Sequence, residues 1–538
     1  MKSSFSAKLA GLRTIQNRFD EKSISEKSKL LSSLKSDALP ASKSLSEYLY
    51  TLLFLSAYPA NEMQRKHCAD ELDRLAQYFK KLGKGALKWD NTGFPYTCIV
   101  SNFSHKLIKW LVNEEFPVSL EEIDLKGNDL LQILKFTLPD LERDLVDLAE
   151  SNEELFELLG LQKSQWLEFL ISEFQRLDSL GLVRDHLFDA LGLSFRIWLN
   201  DASASIPFNT MPVDAYYYHA DLLKQFDPKI LVKQDIGEPE FLSLEMKAAI
   251  PRIVRMKLMF LQRETDPCTH LDPESIRYYN LERGVSIALY TMLPERQLPL
   301  ESYVGYTLFK NGYPAAYGGS WVFGSRALFG INVFEWFRGG ESSYLLWQLL
   351  RVYHQVFGVT YFEVEPYQFG LNNDEGIDSG AFWFYYRNGF RPDESTLARL
   401  ADAEFKKMQK SKSYKSSKSV LQKLTGGNIS LQLESIVPIA LWEIRDQVSE
   451  YINKHFNGNR YRAERACIQA FLQKTGFRRP TDPEFRKVLA DVSLVYEALE
   501  WNSHDQVFHL KEMILKKPKD LYRYQEELLK LLSISKIQ

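Results

Sequence analysis

The sequence predicts an α+β fold: a mixed sheet with its helices, flanked by large helical N- and C-terminal regions. Three observations carry that prediction. Apolar positions recur every three or four residues over 1 to about 200 and again over most of 429–538, the period of a helix face. Residues 285–334 form apolar runs of strand length divided by turn residues, among them Asn311-Gly312, the strongest short hairpin signal in the chain. Ala327–Pro392 then passes from strand to glycine turn, helix, strand, loop and short helix.

Taken in order, the first region reads as successive helices. Tyr48–Tyr58 is an apolar core segment too short to span a bilayer. Glu62–Lys81 places Leu72, Leu75, Ala76 and Phe79 on one face. Leu120–Leu134, Leu138–Ala149 and Glu153–Leu161 continue the pattern, with acidic residues that read as a solvated face. Pro207, Pro212 and Pro228 break the next stretch, and a helix follows over Ser243–Gln262 with Pro251 inside it or at its start. Val285–Leu293, Tyr303–Lys310, Tyr313–Phe323 and Ala327–Phe334 are the expected strands. Lys406–Lys418 reads as a basic, Ser-rich linker, Ile429–Ile436 as one more strand, and the rest as helices, one capped near Pro480–Glu484 and a last one at Tyr522–Leu532. The implied segments are 1–200 helical, 201–284 connecting, 285–395 sheet-bearing, 396–428 linker and 429–538 mainly helical.

At 538 residues the chain is long enough for roughly three or four domain-sized units. A formal charge of -3 gives no electrostatic case for general nucleic-acid or membrane binding. Cys68, Cys98, Cys268 and Cys467 are widely spaced and read as reduced thiols of a cytoplasmic protein. No HExxH or paired-His spacing points to a metal, no Walker motif or GxGxxG fingerprint is present, and the N-terminus lacks the pattern of a secretory signal.

The stretch with the most chemistry is Ala327–Pro392. A strand that feeds glycines into a helix N-terminus presents unpaired N–H groups and the positive end of a helix dipole, an arrangement suited to phosphate. Val333-Phe-Glu-Trp-Phe-Arg-Gly339 leads into that turn, and Ala381, Tyr385, Gly389 and Phe390 form an A-x-x-x-Y-x-x-x-G-F signature. In motif order this region resembles the GNAT superfamily of N-acetyltransferases, over roughly residues 285–395. The resemblance implies acetyl-CoA or another acyl-CoA as co-substrate, no metal, and direct attack of a small-molecule or protein amine on the thioester. It places CoA pyrophosphate on Val333, Arg338, Gly339, Gly340, Ser342 and Ser343. Glu341 departs from the family pattern, standing where a glycine is usual in a turn about one residue short.

Such a transfer needs a base for the amine proton and an acid near the departing thiolate. Tyr385 occupies the family's acid position, and reads otherwise as a core aromatic beside Phe382 and Phe384. Glu335, Glu363 and Glu365 are the candidate bases. Strand alternation sets Glu363 and Glu365 on the face of Tyr361, opposite Phe362 and Val364. That pair reads either as converging carboxylates, one with a raised pKa, or as a solvent-facing strand surface. Two further readings stay open: an inactive binding or scaffold module of the same fold, and a transferase with a donor other than CoA.

Overall fold

The computed structural model describes residues 4–411 and 413–535. Its backbone is 55% helix and 12% strand, an α+β composition in which one mixed sheet of nine strands is central and the terminal regions are helical. The chain divides into two compact units that cut across the segments expected from composition. One comprises Met1–Asp221, Ala248–Thr269 and Asn311–Pro314; the other comprises Leu222–Lys247, His270–Lys310 and Ala315–Gln538.

The first unit begins with helices Phe5–Ile15, Glu21–Lys35, Lys43–Ala57 and Glu62–Leu82. Short polar residues start three of them: Ser4, Asp20 and Asn61 each accept a first-turn N–H, the usual N-cap bond. Lys43–Ala57 is buried along ten of its residues, which is why its sequence is apolar all round. The region also holds three strands: β1 (Cys98–Ser101), β2 (Val118–Glu122) and β3 (Ser194–Trp198), in spatial order β1-β3-β2. The stretch expected to be helical from Leu120 therefore opens as a strand, and only Asp129–Leu134 is helix. The pairing of Val118 and Leu120 with Ile197 and Phe195, 75 or more residues away, overrides the local pattern.

The second unit carries the nine-stranded sheet. Its strands are β4 (Arg277–Asn280), β5 (Val285–Thr291), β6 (Ser302–Lys310), β7 (Tyr313–Phe323), β8 (Arg326–Phe329), β9 (Asn332–Val333), β10 (Tyr361–Val364), β11 (Arg391–Pro392) and β12 (Ile429–Gln432). The order is β11-β12-β10-β8-β7-β6-β5-β4, with β9 beside β7. β6 and β7 meet at Asn311-Gly312, where both residues have positive φ (47° and 81°), the geometry a two-residue hairpin turn requires. β8 and β10 run parallel, because the central helix Ser342–Phe357 crosses over between them. β10 and β11 each pair antiparallel with β12, which lies between them.

Five C-terminal helices, from Leu441–Phe456 to Leu521–Ile534, enclose a core of Phe471, Leu489, Val492, Leu510, Ile514 and Leu528 that also takes in Phe323 of β7. They are tied to the sheet region by the Tyr524 hydroxyl on the Leu300 carbonyl (2.7 Å) and by Tyr522 stacked on Phe357 of the central helix. The basic stretch expected as linker from Lys406 begins inside a helix, Ser395–Lys410; Lys412 lies outside the described residues. Among the described residues no helix is long and apolar enough to cross a membrane.

Candidate functional site

The apolar run Ala327–Phe334 folds as two strands with an interruption at Gly330-Ile331. β7 faces both parts in one register, Ser320 opposite Phe329 and Tyr317 opposite Asn332. Between these pairs β7 presents Gly318 and Gly319. A Cβ at Gly318 would lie 2.4 Å from the Gly330 carbonyl oxygen and 2.5 Å from the Tyr306 hydroxyl, so only glycine leaves room there. Two tyrosines enter the interruption. Tyr306 donates its hydroxyl to the Gly330 carbonyl (2.6 Å), and the Ile331 N–H donates to the Tyr385 hydroxyl (3.3 Å). The backbone groups at the break are thereby satisfied by side chains instead of a strand ladder.

Tyr385 is delivered by a short helix, Ala381–Arg387, which starts from left-handed Gly380. Its ring packs edge-on against Phe329 and Phe390, and only 2% of the residue is exposed. Burial pushes the hydroxyl up to about 12, with the Ile331 N–H pulling the other way.

The candidate bases are not brought to this hydroxyl. Phe362 meets Phe329, which meets Tyr385, so Tyr385 lies on the Phe362 face of the sheet. Alternation puts Glu363 on the opposite face. There its carboxylate accepts from Arg326 (Nε 3.0 Å, Nη2 2.9 Å) and Asn428 (2.7 Å), an internal ion pair and not a converging carboxylate pair. Glu365 falls just outside β10, before Pro366, where its carbonyl accepts the Gln368 N–H. Glu335 is exposed and opens a turn, Glu335–Phe337.

The glycine turn is placed at the start of the central helix, but much of its hydrogen-bonding capacity is engaged internally. Exposed Arg338 bonds the Val333 carbonyl (3.2 Å) and Glu375 (2.8 Å). Gly339 has φ +86° and its carbonyl accepts from Lys224 (3.3 Å), a cation the sequence reading missed. The Gly340 N–H donates to the Phe337 carbonyl (3.2 Å), which removes it from the set expected to hold a phosphate. Half-buried Ser342 and Ser343 form the first helical turn, whose N–H groups have no intrahelical acceptor.

Glu341 turns inward. Its enclosed carboxylate accepts from Arg283 (Nε 3.0 Å, Nη2 2.7 Å), Lys310 (2.6 Å) and the Leu223 N–H (2.8 Å). Lys310 is also fully enclosed and bonds the Arg283 carbonyl (2.6 Å). Burial pulls its ammonium down to about 8 against the opposing charge of Glu341. A lysine ending a strand buried along most of its length was the available sequence signal, since a buried charge requires a partner. The carboxylate that stands where the GNAT pattern has a glycine is therefore engaged by two cations and a backbone N–H.

Among the described residues no group of three or more His, Cys, Asp or Glu is placed to hold a metal ion. Compared with known proteins, the chain matches no family model, no curated protein and no solved structure.

Proposed function

We propose that this chain is an acyl-CoA-dependent N-acyltransferase of GNAT type, with acetyl as the default group and an amine as acceptor. The observation that carries the reading is the interrupted strand beside a parallel pair. β8 and β10 run parallel around the central helix, and at Gly330-Ile331 the Tyr385 hydroxyl stands against the backbone. In this reading the acyl-CoA pyrophosphate meets the first-turn N–H groups and hydroxyls of Ser342 and Ser343, with Lys224 nearby as counter-charge. The thioester reaches the break. The amine nitrogen attacks the carbonyl carbon, the C–S bond breaks, and Tyr385, protonated throughout the working pH range, donates a hydrogen bond to the departing thiolate. With Glu363 held by Arg326 on the far face, the amine proton leaves to water.

Calorimetric titration of acetyl-CoA and free CoA into the full-length chain tests this. Micromolar binding of both is expected, followed by acetylation of members of an amine panel. Absence of heat with millimolar ligand would overturn the CoA assignment. A second reading, a binding module of the same fold without transfer activity, is favoured by one observation: Glu363 is locked in an internal ion pair, so no strand carboxylate faces Tyr385. Tight CoA binding without transfer to any amine would select it.

A further inference from the structure

A cleft lies far from Tyr385 in sequence, among the C-terminal helices. It has a volume of about 590 Å³ and opens between Leu441–Phe456, Arg460–Thr475 and the end of Pro483–Ala498. That volume is within the range of small-molecule sites. Tyr451 and Tyr496 supply aromatic surface, and Glu450, Glu497 and Glu500 supply three carboxylates.

The cleft already holds one ammonium group, the protein's own. Lys474 Nζ bridges both oxygens of Glu497 (2.8 and 3.0 Å) and lies 5.7 Å from the centroid of the Tyr496 ring. Carboxylate below and aromatic face beside is the chemistry that selects alkylammonium ions. The Lys474 proton is held more tightly than an ordinary lysine's, chiefly through the bond to Glu497. Burial first, then the neighbouring Cys467 thiol and the negative charge of Glu497, push the Tyr451 hydroxyl up to about 12. Lys454 also lines the cleft, so three carboxylates face two lysine ammonium groups and one negative charge is left over; the His455 ring lies tilted 4.6 Å from that of Tyr451.

We infer that this cleft binds a single primary alkylammonium group, seated on Glu497 and the two tyrosine rings, with Lys474 as its internal competitor. The side chain of Lys474 is 55% exposed and so is free to swing out, whereas Glu497 is held in place with 13% of its side chain exposed. Since an exposed ion pair contributes little, displacing Lys474 weakens the ligand by no more than about fivefold. The inference is independent of the acyl-transfer reading.

The test is calorimetric titration of the full chain with two probes, n-pentylamine and Nα-acetyl-lysine methylamide. Lys474→Met, which removes the competitor, is expected to bind about fivefold more tightly. Glu497→Gln, which removes the seat and keeps its shape, is expected to lose about tenfold or more. The two substitutions push in opposite directions, so a folding defect cannot imitate both, and melting curves of each variant accompany the titrations. Equal binding of both probes assigns the site to free amines, and binding of the lysine derivative alone assigns it to a lysine side chain of another chain. No binding of either probe at millimolar concentration overturns the proposal, as does binding that Glu497→Gln leaves unchanged or that Lys474→Met weakens.

Discussion

The glycine turn before the central helix and the strand break at Gly330-Ile331 make an instructive pair. The turn carries the stronger sequence signal, with arginine, glycines and serines in the expected order. Yet its Arg338 is bound to Glu375, its Gly340 N–H to Phe337, and its Glu341 is drawn inward to Arg283 and Lys310. The break has a weaker sequence signal, a single glycine, Gly330, inside an expected strand. Yet there two tyrosine hydroxyls converge on adjoining backbone groups. At the turn the fold's own hydrogen bonds take up Arg338, Gly340 and Glu341 and leave the first-turn groups of Ser342 and Ser343. At the break, side-chain hydroxyls replace the strand ladder, which is what makes it a candidate.

The largest expected effect is at the turn. Glu341→Gln takes the carboxylate from enclosed Lys310 and from partly buried Arg283, and chemical denaturation should show a loss of about 3–5 kcal/mol. A loss near zero would mean that Glu341 is no anchor and that the turn is freer than its contacts imply. Next is Gly318→Ala, whose Cβ would press on the Gly330 carbonyl and the Tyr306 hydroxyl. About 2–3 kcal/mol of stability should go, together with any transfer activity. An active, stable variant would break the link between that opening and function.

Tyr385→Phe should cost about 1–2 kcal/mol, since it strands the Ile331 N–H, and should lower the transfer rate while CoA binding holds. Its pH signature is specific. The folded-state hydroxyl sits near 12 against an ordinary 10.0, so the folded chain keeps this proton longer than the unfolded chain. The contribution is complete below about pH 10 and is lost as pH rises towards 12. The wild type should therefore lose stability more steeply than Tyr385→Phe over that interval, and identical slopes would contradict the burial account. The smallest effect belongs to Arg338→Gln, which removes one exposed ion pair. Stability should move by less than about 0.5 kcal/mol and CoA affinity by less than about threefold. A large loss of affinity would return Arg338 to the phosphate contact that its pairing with Glu375 argues against.

The parts of this fold readable in the sequence are those fixed by short-range rules. Asn311-Gly312 adopts its left-handed turn, and the central helix begins at Ser342, directly after the glycine turn. Alternation correctly separated Glu363 from Phe362. It did not say which face Tyr385 would share, because that depends on how Ala381–Arg387 docks against Phe329 and Phe390. The break at Gly330 was marked by one glycine, but the partners that meet it, Gly318 on β7 and Tyr306 on β6, could not be read from the chain. The withdrawal of Glu341 was equally hidden, since Lys310 and Arg283 stand about 30 and 60 residues away in the chain. The strand at Val118–Glu122 was lost to the same cause, a partner distant in sequence.

The central claim is that the opening at Gly330-Ile331 is the working centre. Hydrogen exchange at the Ile331 amide, followed in the full-length chain with and without acetyl-CoA, addresses it most directly. Saturating acetyl-CoA should change the protection of that amide, free CoA should change it less, and Tyr385→Phe should raise its exchange in the unliganded protein. An Ile331 amide that exchanges identically with and without bound acetyl-CoA would contradict the account and place the chemistry elsewhere.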